Sequence, residues 1–202
     1  MLNRDSKYVE DYLNIVSSIS QEIIEEDYSY LNEYKMPSKY GTVENGDWIF
    51  KIIKSKDTGI TLKKSKSKKF IEFLSDSNVI CVGISRFPPG TNIKEHVDPP
   101  CYGKNLWRIL VPIQCEESYI NEKNGPQLCQ IGNCYIIDLL YEIHSGWNNS
   151  KKKDFIVCTI DLLYEDKSDY SISDSWQSCQ IQKNKKDYKK AVKIDLSIYD
   201  KC

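Results

Sequence analysis

The chain has no apolar run approaching the roughly 18 residues that a membrane-spanning helix needs; lysines, acids and serines interrupt every stretch. It has no excess of either charge, with Lys plus Arg at 28 and Asp plus Glu at 29 for a net charge of -1. That balance excludes the broad basic face by which proteins hold nucleic acid or anionic lipid. The run Lys63-Lys-Ser-Lys-Ser-Lys-Lys reads as a solvated face rather than a phosphate contact, so neither nucleic acid nor membrane is expected as a partner. There is no internal repeat, which excludes a solenoid. The opening residues, MLNRDSKYVEDYLNIV, lack the apolar core and cleavage site of a signal peptide, so a cytoplasmic location is expected. In that setting the acceptor pattern Asn148-Asn149-Ser150 carries no glycan. The eight cysteines include no C-x-x-C pair and read as reduced, mostly buried thiols. Cys129 and Cys134 lack the second pair that a structural zinc site needs.

Histidine is scarcest in proportion to what it can do. His96 and His144 are the only two in 202 residues. His96 lies in the segment Pro88-Pro-Gly-Thr-Asn-Ile-Lys-Glu-His-Val-Asp-Pro-Pro100, with Asp98 two residues on and proline turns on both sides.

A length of 202 residues, 40% hydrophobic and 28% charged, suffices for one well-buried core. Asp5 to Glu26 repeats apolar residues at helical spacing and predicts an amphipathic helix. Ser38 to Gly46 reads as loop, Asp47 to Ile53 as a strand and Ser65 to Leu74 as a second helix. Apolar strands follow from Val79, at Trp107 to Ile113, Gln127 to Gln130, Cys134 to Asp138, and Phe155 to Leu163. Short strands at such spacing predict a sandwich or barrel. From Glu165 the chain is polar and lysine-rich, a tail packed loosely on the core or partly disordered.

Residues two apart on an extended chain point to the same side, so His96 and Asp98 present an imidazole and a carboxylate together. His144 is the remaining histidine and supplies a third ligand. Two histidines and one carboxylate form the facial triad of non-haem Fe(II) oxygenases, which leaves the other face of the metal open. The flanking prolines fix the backbone where ligand geometry must hold.

From Gly83 to Asp161 the chain resembles the aspartyl/asparaginyl β-hydroxylases. Three stretches carry the resemblance. Gly83-Ile-Ser85-Arg-Phe87-Pro-Pro-Gly90-Thr to His96 is similar to the family's serine, Pro-Gly-Thr and first histidine. Arg108-Ile-Leu-Val-Pro-Ile is similar to its arginine-bearing strand, and Gly132 to Asp138 followed by His144 to its second histidine. The match covers about 80 residues and leaves out the flanks. It implies a mainly β chain with flanking helices around a double-stranded β-helix (jelly-roll, cupin-like) core. One domain is expected: a helical and mixed segment at 1–75, the β-helix at 76–165 and a polar extension at 166–202.

The resemblance also implies Fe(II), 2-oxoglutarate and O2 as cofactors and cosubstrates. His96, Asp98 and His144 would hold the metal, and Arg108, Ser85 and Lys153 the 2-oxoglutarate. Arg86, Phe87 and Trp147 would face the substrate, with apolar wall also from Trp107. No catalytic residue is expected beyond the metal ligands. The substrate is an Asp or Asn side chain in a protein, or a free amino acid or other small metabolite. The chain departs from the family in three places. Asp98 stands where members closest to the animal enzyme have glycine, and Leu110 replaces a histidine. The arginine about ten residues after the second histidine is missing; Asp154 and Phe155 occupy that place. Lys153 or Lys152 would supply the cation there, or Arg108 would act alone. A non-catalytic cupin-like metal- or ligand-binding domain is the alternative reading, and a metal-assisted isomerase with the same triad is a third.

Overall fold

The computed structural model of the chain describes residues 6–36, 42–55, 60–62, 65–97, 106–122, 125–139 and 142–163. The polar tail from Glu165 and the turn at Asp57 fall outside them.

Two helices open the chain, α1 (Ser6–Ser18) and α2 (Ser20–Glu25). The single expected helix is broken at Ile19, which has φ -113° and ψ 9°. Serine hydroxyls act on both sides of the break: Ser18 Oγ donates to the Ile15 carbonyl and Ser20 Oγ to that of Ser17. Such local bonds compete with the helical ladder. Short strands β1 (Tyr34–Lys35) and β2 (Val43–Asn45) precede β3 (Ile49–Ser55) and β4 (Ile60–Thr61). Helix α3 (Lys68–Leu74) follows, capped by Ser67, whose hydroxyl accepts from the Phe70 amide.

Eight strands then build the core. They are β5 (Val79–Phe87), β6 (Asn92–His96), β7 (Leu106–Gln114) and β8 (Ser118–Glu122), then β9 (Gly125–Leu128), β10 (Tyr135–Asp138), β11 (His144–Asn148) and β12 (Phe155–Leu163). The larger sheet runs β1-β3-β5-β12-β7-β10, with β4 on β3; the smaller runs β2-β6-β11-β8-β9. Successive core strands cross from one sheet to the other, apart from the hairpin β8–β9, and every pairing is antiparallel. That order is the double-stranded β-helix.

The larger sheet is buried on both faces, which is why β5, β7 and β12 read as nearly continuous apolar runs. Along β12, Cys158, Ile160 and Leu162 join Val16, Ile23 and Phe70 in a core under the helices. Phe155 and Val157, one residue out of phase, turn into the barrel with Leu110, Ile120 and Ile137. Trp107 belongs to the helix-side core and not to the barrel interior. Lys54, buried among these helices, donates from Nζ to the carbonyls of Leu74 and Asp76 at the end of α3. A cation there offsets the helix's unpaired terminal carbonyls.

Candidate metal centre

The turn before β6 is built by its sequence. Thr91 N donates to the Pro88 carbonyl at 3.1 Å, and Gly90 takes φ +78° between them. Proline second and glycine third is the pattern of a type II turn. The turn is tied to β11 by Gly90 N to the Asn148 carbonyl and Asn148 N to the Thr91 carbonyl, each 2.9 Å. The Asn148 side chain completes the tie. Its amide donates to the carbonyls of Phe87 and Lys153, and its Oδ1 accepts from the Ser150 amide. Asn148 is buried, so the acceptor pattern Asn148-Asn149-Ser150 is an internal staple.

On β6, His96 lies opposite His144 and Ile93 opposite Gly146. Three residues on one strand therefore match two on the other, a bulge that turns both Ile93 and His96 into the barrel. The two imidazoles meet there with ring centroids 4.3 Å apart. His96 Nδ1 is 2.7 Å from the Lys94 carbonyl and His144 Nδ1 is 3.0 Å from the Glu142 carbonyl. A carbonyl only accepts, so each Nδ1 carries a proton. A histidine that binds metal through Nε2 makes the same Nδ1 bond. The donor set fits a divalent transition metal. Asp98 falls outside the described residues, so two of the three expected ligands are placed. Among the described residues no group of three His, Cys, Asp or Glu side chains gathers at one point.

Beneath the histidines lies a cavity of about 80 Å³. Ser85, Phe87, Arg108 and Trp147 line it, together with Trp48, Phe155 and Thr159, for which the sequence proposes no role. Ser85 Oγ accepts from Trp48 Nε1 at 3.1 Å. Phe87 sits between Trp48 and Phe155, 5.7 Å from each ring centroid. Trp147 stacks on Tyr119 at 5.4 Å on the smaller sheet. Arg108 faces Asp161 directly across β7 and β12. Its Nε donates to Asp161 Oδ1 at 2.7 Å and its Nη2 to Oδ2 at 3.0 Å. Asp161 is buried and Arg108 half-buried, and the pair carries no net charge.

Two expected residues lie elsewhere. Arg86 alternates to the outer face of the larger sheet, where it pairs with Asp154 at 3.1 Å and Glu33 at 3.2 Å beside a separate hollow. Lys153 is exposed, with Nζ 3.5 Å from Glu116 Oε1, and does not line the cavity. Where the resemblance places a distal cation, the inward side chain is Phe155. Burial pushes the thiols of Cys129 and Cys134 up, Cys129 to about 12.

No family model and no curated protein matches the chain. Solved structures do resemble it. A predicted oxalate decarboxylase of Thermotoga maritima is 14% identical over 68% of this chain and 97% of its own, with a TM-score of 0.46. A cupin-like protein of the same organism is 14% identical over 67% and 80%, at 0.45. A cupin-2 domain of Rhodospirillum rubrum is 5% identical over 70% and 75%, also at 0.45. The chain is a cupin-like double-stranded β-helix. Its strand order makes that assignment, and what those proteins do stays with them. Among the described residues no helix is long and apolar enough to cross a membrane.

Proposed function

We propose that His96, His144 and Asp98 form a mononuclear metal centre, and that the chain is an Fe(II)- and 2-oxo-acid-dependent dioxygenase hydroxylating an unactivated carbon. One observation carries the reading: two imidazoles, opposed in register and both lining one cavity, have their Nδ1 atoms bonded to backbone carbonyls two residues earlier, the outer bond that a histidine ligand makes. The resemblance to the aspartyl/asparaginyl β-hydroxylases supports the choice of iron and names 2-oxoglutarate as the implied cosubstrate. Iron bound with a 2-oxo acid supplies the oxidation of a C–H bond by dioxygen.

The chain's own residues hold and shield. His96 and His144 would hold the metal. Ser85 offers a hydroxyl already oriented by Trp48. Phe87, Phe155 and Val157 exclude water from the space behind the metal. An Asp or Asn side chain in a protein and a small free metabolite both remain open as substrate. The test is dioxygen consumption with oxidative decarboxylation of a 2-oxo acid, 2-oxoglutarate or a monocarboxylate one, with Fe(II) and ascorbate, lost in His96→Ala. Unchanged turnover in that variant would sink the assignment.

A second reading, a cupin-like domain that binds metal or ligand without oxidising anything, is favoured by the bidentate Arg108–Asp161 pair. It predicts metal uptake with no dioxygen consumed for any 2-oxo acid.

A further inference from the structure

The charge inside the cavity is already neutralised. Among the described residues lining it, Arg108 carries the only permanent positive charge. Asp161 takes its Nε and Nη2 edge with both carboxylate oxygens. The position where a second cation is expected is filled by Phe155, 4% exposed. Lys153 has turned out to Glu116, and Asp154 to Arg86. Leu110, Ile120, Ile137 and Val157 line the same cavity as Arg108.

We propose that this cavity takes the uncharged, branched aliphatic body of a monocarboxylate 2-oxo acid, and not the distal carboxylate of a dicarboxylate. The proposal rests on the metal-centre reading and narrows its cosubstrate. A distal carboxylate placed here loses its water and must compete with Asp161 for the guanidinium. An aliphatic tail meets apolar walls and leaves the ion pair intact. Size points the same way. A cavity of about 150 Å³ holds benzene, so about 80 Å³ suits a few methyl and methylene groups rather than a ring.

The test is calorimetric and independent of turnover. The full-length protein, loaded with redox-inert Zn(II), is titrated with 4-methyl-2-oxopentanoate and with 2-oxoglutarate. The branched acid is expected to bind at least about tenfold more tightly. Asp161→Asn and, separately, Phe155→Arg each return positive charge to the cavity and are expected to narrow or reverse that ratio; either variant suffices if the other does not fold. Tighter binding of 2-oxoglutarate by the wild type, or no saturable heat with either acid, overturns the proposal. The metal reading fails separately, by absence of Zn(II) uptake. In that event 4-methylpentanoate against glutarate, on metal-free protein, still ranks the two tails: a preference for glutarate overturns the cavity assignment, and a preference for the branched acid upholds it.

Discussion

His96 and His144 stand opposite each other across β6 and β11, each with its Nδ1 bound to the carbonyl two residues earlier. Their orientation is therefore set by the backbone of the strands on which they lie. Removing either ring leaves the other pointing at the same place with one ligand fewer. His144→Ala is expected to lower affinity for Zn(II) or Co(II) by about 100-fold or more, read by calorimetry or by the cobalt absorption bands. Lys153→Ala, which loses only an exposed ion pair worth less than about 1 kcal/mol, should leave both metal affinity and stability unchanged.

The Arg108–Asp161 pair makes a prediction about stability. Breaking a fully buried pair strands a charge at a cost of about 3–5 kcal/mol, and with Arg108 half-buried the expected loss is the lower end of that, about 3 kcal/mol. Asp161→Ala should lower the urea midpoint accordingly. The double variant Arg108→Leu with Asp161→Leu should recover most of the loss. Additive losses in the double variant would show that the two side chains act separately.

Asn148 holds three segments together through its side chain, β5 at Phe87, the turn at Ser150 and the chain at Lys153. Asn148→Ala leaves two carbonyls and an amide without their partner. At about 1 kcal/mol or more for each, the expected loss is about 3 kcal/mol in chemical denaturation. Asn149→Ala, at an exposed neighbouring position, serves as the control and should be silent.

Tyr12 donates to Asp76 at 2.5 Å and accepts from Asn78. Burial first, then the bond to Asp76, pushes its hydroxyl from 10.0 up to about 12. The folded state therefore keeps a proton that the unfolded state releases. The stabilisation is complete below pH 10 and disappears as pH rises to about 12. Wild type should lose stability relative to Tyr12→Phe across that window, and parallel profiles would refute the coupling.

The parts of the fold that could be read from sequence are those whose burial is two-sided. β5, β7 and β12 lie between helices and barrel interior, and their apolar runs announce them. The smaller sheet was harder to read. Segments such as Asn92-Ile-Lys-Glu-His96 and Ser118-Tyr-Ile-Asn-Glu122 show one face to solvent, and the bulge beside His96 breaks what alternation remains. The apolar pattern marks neither β8 nor β11 as a strand. Ser85, Phe87, Arg108, Trp147 and the two histidines were legible because their motifs are local. Whether Arg86 faces the cavity depends on the phase of β5, and whether Lys153 does on the turn before β12; a one-residue shift inverts either. Asp161 was legible as a strand residue but not as the partner of Arg108, since 53 positions separate the two.

The bonds that join the Pro88–Gly90 turn to β11 also bear on how the centre would come apart. Asn148 accepts from the Gly90 amide and donates to the Thr91 carbonyl at one end of the strand pair that carries the histidines at its other end. Neither ligand strand can fray from this edge without breaking the same few bonds. His96 and His144 thus belong to one cooperative opening unit, and the amides of β6 and β11 should exchange with deuterium together rather than in sequence.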